Sequence, residues 1–186
     1  MIYDNVMWDI ETLGVLPGAK IFSIGMVAFN LGGLGPKVKI LVNPDAQVGG
    51  QEPSTVQWWA KQSDEARSAL TAAYTNGFPS GVAVAKVNEF FRQTGMASVS
   101  KVKVWGNGAD FDNVLMRDFI DRHVDFGHHL KADNIWKFWN NRCLRTLRSL
   151  APSVPKTKPA VAHDSLSDAE AQAIDAVTIL NKLKVA

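Results

Sequence analysis

Three short segments carry residues whose types and spacing could do chemistry together: Asp9-Ile10-Glu11-Thr12 near the start, residues 107–112 in the middle, and His163-x-x-x-x-Asp168 near the end. On a strand, residues two apart project from one face, so Asp9 and Glu11 point together while Ile10 points toward the core. Two such carboxylates repel each other, and one tends to stay protonated unless a hard divalent cation takes both as oxygen ligands. Alone, an acid pair at a strand end also fits a solvated surface.

The middle segment, Trp105-Gly106-Asn107-Gly108-Ala109-Asp110-Phe111-Asp112, leaves a predicted strand and enters a predicted helix. Strand C-termini are where α/β sheets assemble sites, and Gly106 and Gly108 are expected to leave room for a ligand. Asp112 stands at the helix start as a candidate ligand, with Asp110 as the expected cap and Phe111 as a core anchor. In the third segment, Asp168 falls in the first turn of a helix, and His163 precedes it in a loop from which it can reach a water. The plain alternative for each is a capped helix with an incidental acid or histidine.

The elements that must position these residues follow from apolar spacing. Residues 5–11, 21–30 and 37–42 are rich in Val, Ile, Met and Phe and read as strands. The glycine-rich stretch 32–36 reads as a hairpin turn, so the chain opens with an antiparallel meander. Helices are expected over 54–61 and 63–74, capped by Ser54 and Ser63, and over 81–94, 112–122, 143–150 and 165–183, with a strand over 101–106. Residues 153–161, with two prolines and two lysines, read as a mobile loop. The fold class is α/β: a mixed sheet, antiparallel at first and then parallel, flanked by helices within one domain over residues 1–186.

Composition sets the outer bounds. A chain of 186 residues, 46% hydrophobic, can bury one substantial core. The net charge of +2 does not by itself announce a polyanion partner, but residues 134–162 contain no acid while Lys137, Arg142, Arg145, Arg148, Lys156 and Lys158 are all basic. Cys143 is the single cysteine, which excludes an intrachain disulfide and fits a reducing compartment; it is expected to be buried and inert. His128 and His129 lack other ligands at metal spacing and read as surface residues. No apolar run approaches the roughly 20 residues that span a bilayer, so no membrane partner and a cytoplasmic location are expected.

Taken in order, Asp-x-Glu on the first strand, Asn-x-x-x-Phe-Asp in the middle and His-x-x-x-x-Asp before the last helix resemble the three motifs of the DEDDh, or DnaQ-like, 3′-5′ exonucleases of the ribonuclease-H-like fold. The resemblance runs from Asp9 to Asp168. Trp58-Trp59-Ala60-Lys61-Gln62, Trp105-Gly106-Asn107-Gly108 with Phe111-Asp112-Asn113, and Arg142-Cys143-Leu144-Arg145-Thr146-Leu147 look like the compact phage and bacterial group that includes DexA-type and exoribonuclease-like enzymes. One departure is that Gly106-Asn107-Gly108 stands where His-Asn-Ala is commoner. The resemblance implies that Asp9, Glu11, Asp112 and Asp168 hold two Mg²⁺ or Mn²⁺ ions roughly 3.5–4 Å apart. It also implies that His163 takes the proton of the attacking water.

The implied substrate is a nucleic-acid strand with a free 3′ end, shortened one nucleoside monophosphate at a time. Single-stranded DNA is the first reading and RNA a close second; motifs around the metals do not fix the sugar, which depends on how the pocket receives the 2′-position. Thr12, Leu13, Asn107, Phe111, Arg145 and Trp58 are the expected substrate contacts, Arg145 to phosphate. The basic run from Lys137 to Lys158, interleaved with Trp136, Phe138 and Trp139, could track the backbone, although Trp58, Trp136 and Trp139 also read as core or partner contacts. A silent nucleic-acid-binding module and a ribonuclease-H-type endonuclease are the alternatives; the acid cluster argues against the first and His163 with Asp168 against the second. Some relatives of the group pair as homodimers, which leaves that assembly open here.

Overall fold

The computed structural model describes residues 2–93, 96–123 and 131–184. His128, His129 and the expected helix end at Thr94 lie outside the described residues. A five-stranded sheet runs in the order β3-β2-β1-β4-β5 through the middle of the molecule. Its strands are β1 (Asn5–Thr12), β2 (Ile21–Asn30), β3 (Gly33–Leu41), β4 (Lys103–Gly106) and β5 (Asn141–Cys143). β1 pairs antiparallel with β2, and β2 with β3, while β4 runs parallel to both β1 and β5. The expected mixed sheet is therefore present, with its antiparallel half first.

Strand parity sorts β1 between two layers. Val6, Trp8 and Ile10 face a core formed with α3 (Ser80–Gln93) and α4 (Asp112–Arg122). Met7 faces the opposite layer, where α6 (Leu144–Ser149) and α7 (Ser165–Leu183) bury Leu144, Leu147, Ala169, Ala173, Ala176 and Ile179. A third cluster joins Leu13 and Phe22 to Trp59 of α1 (Pro53–Trp59) and to Ala66, Ala69 and Ala73 of α2 (Asp64–Asn76). The small α5 (Ala132–Ile135) leads to Trp136, which is fully buried and meets Trp8 edge to face at 4.7 Å.

Several boundaries differ from the sequence reading. α1 is capped at Glu52 with Pro53 in the first turn, not at Ser54, because proline's fixed φ already suits the first helical position. Ser63 caps α2 as expected, its side chain accepting from Ala66 N–H. β3 begins at Gly33, four residues before the expected Lys37, since Asn30 closes a tighter turn by accepting the Gly32 N–H. The helix expected from Cys143 starts one residue later, at Leu144, because Cys143 ends β5, a strand whose three residues give too short a period for alternation to show. Asp110 caps nothing: Phe111 occupies the N-cap of α4 without a side-chain hydrogen bond.

Candidate active site

β1 presents Asp9 and Glu11 on the face covered by α7, and Ile10 on the other. The start of α7 then brings Asp168 to them. Carboxylate oxygens of Asp9, Glu11 and Asp168 lie within 4.8 Å of one another. β4, parallel to β1 with Val6 opposite Val104, delivers the following loop to the same end of the sheet. Asp112, the first residue of α4, thereby joins the three acids on the wall of one cleft of about 860 Å³. Asn107, Phe111, Arg145, Lys156 and His163 also line that cleft.

Small residues of β2 make the approach of α7 possible. Gly25 stands opposite Asp9 in the ladder, and a Cβ there would lie 2.1 Å from the Ser165 carbonyl oxygen. Ser23, opposite Glu11, shares a buried hydrogen bond of 2.7 Å with the Ser165 hydroxyl. Asp164 caps α7 by accepting from Ser167 N–H at 3.0 Å and also pairs with Lys39. Neither Ser23 nor Gly25 stands out in the sequence, because their small size matters only once their neighbour is known.

Asp112 is seated in a comparable way. The glycine at 106 makes room for Asp112 and Asn113 rather than for a ligand, since a Cβ there would meet Asp112 Cβ at 2.8 Å and Asn113 Oδ1 at 2.9 Å. The buried Asn113 accepts from Trp8 Nε1 at 2.8 Å and donates to the Val104 carbonyl at 3.0 Å, locking the start of α4 onto β1 and β4. Asp112 Oδ2 accepts from the Gly108 N–H at 3.2 Å.

The electrostatics follow from crowding acids in a dry place. Burial, then the charge of Asp112, holds the Asp9 carboxyl well above the usual carboxylate range, against a hydrogen bond from Gln172 that favours the ion. Burial and then Asp9 push Glu11 up in the same sense. Burial lifts Asp112 to about 6, opposed by backbone hydrogen bonds led by that from Gly108. Asp168 is raised by burial and partly restrained by the His163 backbone N–H. Four acids that all resist ionisation share an unmet need for positive charge. Their donor set is all oxygen, which suits Mg²⁺ or Mn²⁺.

His163 is exposed and adopts a left-handed φ of 61°, a conformation that a non-glycine residue holds only when its surroundings impose it. Its ring stands edge-on to Trp58 at 5.0 Å and to Trp59 at 6.3 Å. The loop before it is tethered rather than free: Thr157 N–H donates to Asp175 Oδ1 at 3.0 Å, and Val161 N–H to Ser167 Oγ at 3.0 Å.

Beside the acid cleft lies a second, apolar hollow of about 440 Å³ that shares Ile10, Glu11 and Phe111 with it. Thr12, Val15, Trp58 and Trp59 are among its other walls. Leu13, the other expected contact on this segment, is only 1% exposed and packs with Phe22 and Trp59 in the core. Trp136 is core, whereas Trp139 is 57% exposed against an equally open Phe138. Cys143 is part-buried and lines the cleft; burial raises its thiol, but hydrogen bonds with Ala109, Thr146 and Arg145 together outweigh that and draw it below the usual range.

Known proteins share the family and the fold of this chain. Residues 4–180 match the family model of the 3′-5′ exoribonuclease Rv2179c-like domain. No curated protein matches the chain in sequence. Among solved structures, exonuclease I of Methylocaldum szegediense is similar at a TM-score of 0.67 and 16% identity, over 97% of this chain and 41% of that one. The zinc-bound E. coli exonuclease I complex with single-stranded DNA gives 0.65 at 16% identity, over 97% and 41%. Exonuclease X in complex with 5′ overhanging duplex DNA gives 0.59 at 16% identity, over 98% and 94%. This chain thus spans about two fifths of the exonuclease I chains. At these identities the structural likeness speaks for the fold. With the family model covering nearly its whole length, the chain belongs to the 3′-5′ exoribonuclease Rv2179c-like domain family, and it shares the ribonuclease-H-like fold of these exonucleases.

Proposed function

We propose that this chain is a divalent-metal-dependent 3′-5′ exonuclease acting on single-stranded nucleic-acid ends. The observation that carries the reading is the meeting of Asp9, Glu11 and Asp168 oxygens within 4.8 Å, in one cleft with Asp112 and His163. Asp9, Glu11, Asp112 and Asp168 would hold the metal. When bound, Mg²⁺ or Mn²⁺ supplies charge neutralisation for the phosphate and acidifies a water.

The chain's own residues do the rest. An imidazole nitrogen of His163 accepts the proton as a water oxygen bonds to phosphorus and the bond to the leaving 3′-oxygen breaks, releasing a nucleoside 5′-monophosphate. Arg145 and Lys156 offer charge to phosphates from the cleft wall. The hollow walled by Trp58, Trp59 and Phe111 fits the terminal base, which stacks on aromatics whatever its identity. Asn107 and Thr12 border these spaces as contacts for the sugar and phosphate.

The family description names an exoribonuclease, which favours RNA and reverses the order set by sequence alone. Single-stranded DNA stays as the second reading, since structures of this fold have been solved with it. The test is digestion of matched 5′-labelled single-stranded RNA and DNA with Mg²⁺ or Mn²⁺, beside blocked 3′ ends and an Asp112→Ala control. Stepwise shortening from free 3′ ends, absent in the control, is expected. Cleavage of blocked substrates would overturn the end-dependent reading.

A further inference from the structure

Gln172 lies on the cleft wall yet has no part in the roles above. It sits on α7 one turn beyond Asp168, is 6% exposed, and its Nε2 donates to Asp9 Oδ1 at 2.7 Å. Its Oε1 is buried and has no hydrogen-bond partner among the described residues. A buried amide oxygen without a donor keeps the full penalty of having left water. With Asp9 ionised, as a bound cation would hold it, turning the amide over brings no relief: the oxygen would face the Asp9 carboxylate and the NH₂ group would be orphaned instead.

The donor must therefore come from what the cleft binds. Asp9, Glu11, Asp112 and Asp168 surround the site, and in the ionised form they only accept. Water in the shell of a divalent cation is a strong donor and belongs where those acids converge. A neutral amide is also the side chain the position calls for. Lysine or arginine would neutralise Asp9 and compete with a cation, while glutamate would add another negative charge. Resting on the reading of the acid cluster as a divalent-cation site, we propose that Gln172 is a positioning residue for that site. Its N–H fixes the Asp9 carboxylate, and its Oε1 accepts from a water in the cation's hydration shell.

The test is calorimetric titration of Mn²⁺ into metal-free wild-type and Q172M proteins. It is paired with melting of each metal-free protein and water-proton relaxation of the Mn²⁺ complexes. Methionine keeps the volume and removes both the donor and the orphan acceptor. Mn²⁺ affinity is expected to fall about 10- to 100-fold, as for other partners that orient a metal ligand. The metal-free melting temperature should hold, and the relaxivity per bound Mn²⁺ should change. Q172A, well tolerated in a helix, gives the same comparison should the methionine variant not fold. Unchanged affinity and relaxivity, or a lowered melting temperature with unchanged affinity, would overturn the proposal. Absence of Mn²⁺ binding by the wild type would instead overturn the metal-site reading beneath it.

Discussion

Gly25 and Ser165 touch through backbone alone: the space where a Gly25 side chain would begin is already occupied by the Ser165 carbonyl. That contact sets how deeply the first turn of α7 can sink against β2, and hence whether Asp168 reaches Asp9. Gly25→Ala should push the helix start outward, lowering stability by about 1–3 kcal/mol as overpacking does. For a chain of this size that corresponds to a melting shift of several degrees. Thermal unfolding with and without Mn²⁺ should show both the lower melting temperature and a smaller gain from the metal.

The acid cluster gives the metal-free protein a particular pH dependence. Asp9, Glu11, Asp112 and Asp168 all hold their protons more tightly in the folded chain than in the unfolded one. Their stabilising share is then fully present below the unfolded values near 4 and is lost as pH rises through the folded ones, which for Asp112 is about 6. Asp112 alone would account for a loss on the order of 3 kcal/mol. Melting in EDTA should weaken across this window, less steeply for Asp112→Asn, and millimolar Mn²⁺ should reverse the fall.

What could be read from the sequence divides along a physical line. The parity of Asp9 and Glu11 and the helix starts at Asp112 and Asp168 were legible because side-chain direction within an element follows from its period. Ser165, Asp168, Gln172 and Asp175 recur at helical spacing along α7, so a polar stripe was there to be found among the apolar positions. Its partners were not: Ser23, Asp9 and Arg148 come from other elements, and only the folded sheet pairs them. β5 and the seat of Asn113 were illegible for the same reason, being fixed by neighbours rather than by local pattern.

His163→Ala separates the proton acceptor from the ligands. The imidazole reaches the cleft from a loop and is outside the group of converging carboxylates. Turnover should therefore fall about 100- to 10,000-fold. Calorimetric Mn²⁺ binding should stay near the wild-type value. A parallel fall in Mn²⁺ affinity would make His163 part of the metal site instead.

Arg145 follows β5 onto the cleft wall, where its Nε would lie 3.9 Å from a Cβ placed on Gly108. If it contacts one phosphate, Arg145→Ala should weaken binding across sequences and reduce the slope of log affinity against log salt by about one. Fluorescence anisotropy of a labelled single strand over a salt series, in EDTA to prevent cleavage, measures both. An unaltered slope would place the phosphate elsewhere, with Lys156 the next cation along the wall.

Asp175 ties the loop before His163 to the body of the protein. It is 1% exposed, pairs with Arg148 of α6 and accepts from Thr157 N–H at 3.0 Å. Asp175→Asn removes the charge that compensates the guanidinium, and breaking one side of a buried pair costs about 3 kcal/mol. Replacing both residues by apolar ones, Asp175→Leu with Arg148→Met, should recover much of that stability, since no uncompensated charge remains. It should not recover the tether, because leucine cannot accept from Thr157. Melting and turnover measured together on the single and double variants should then part company. A double variant near wild-type stability but still low in activity would show that Asp175 serves catalysis by holding the loop, whereas activity returning with stability would reduce it to a packing role.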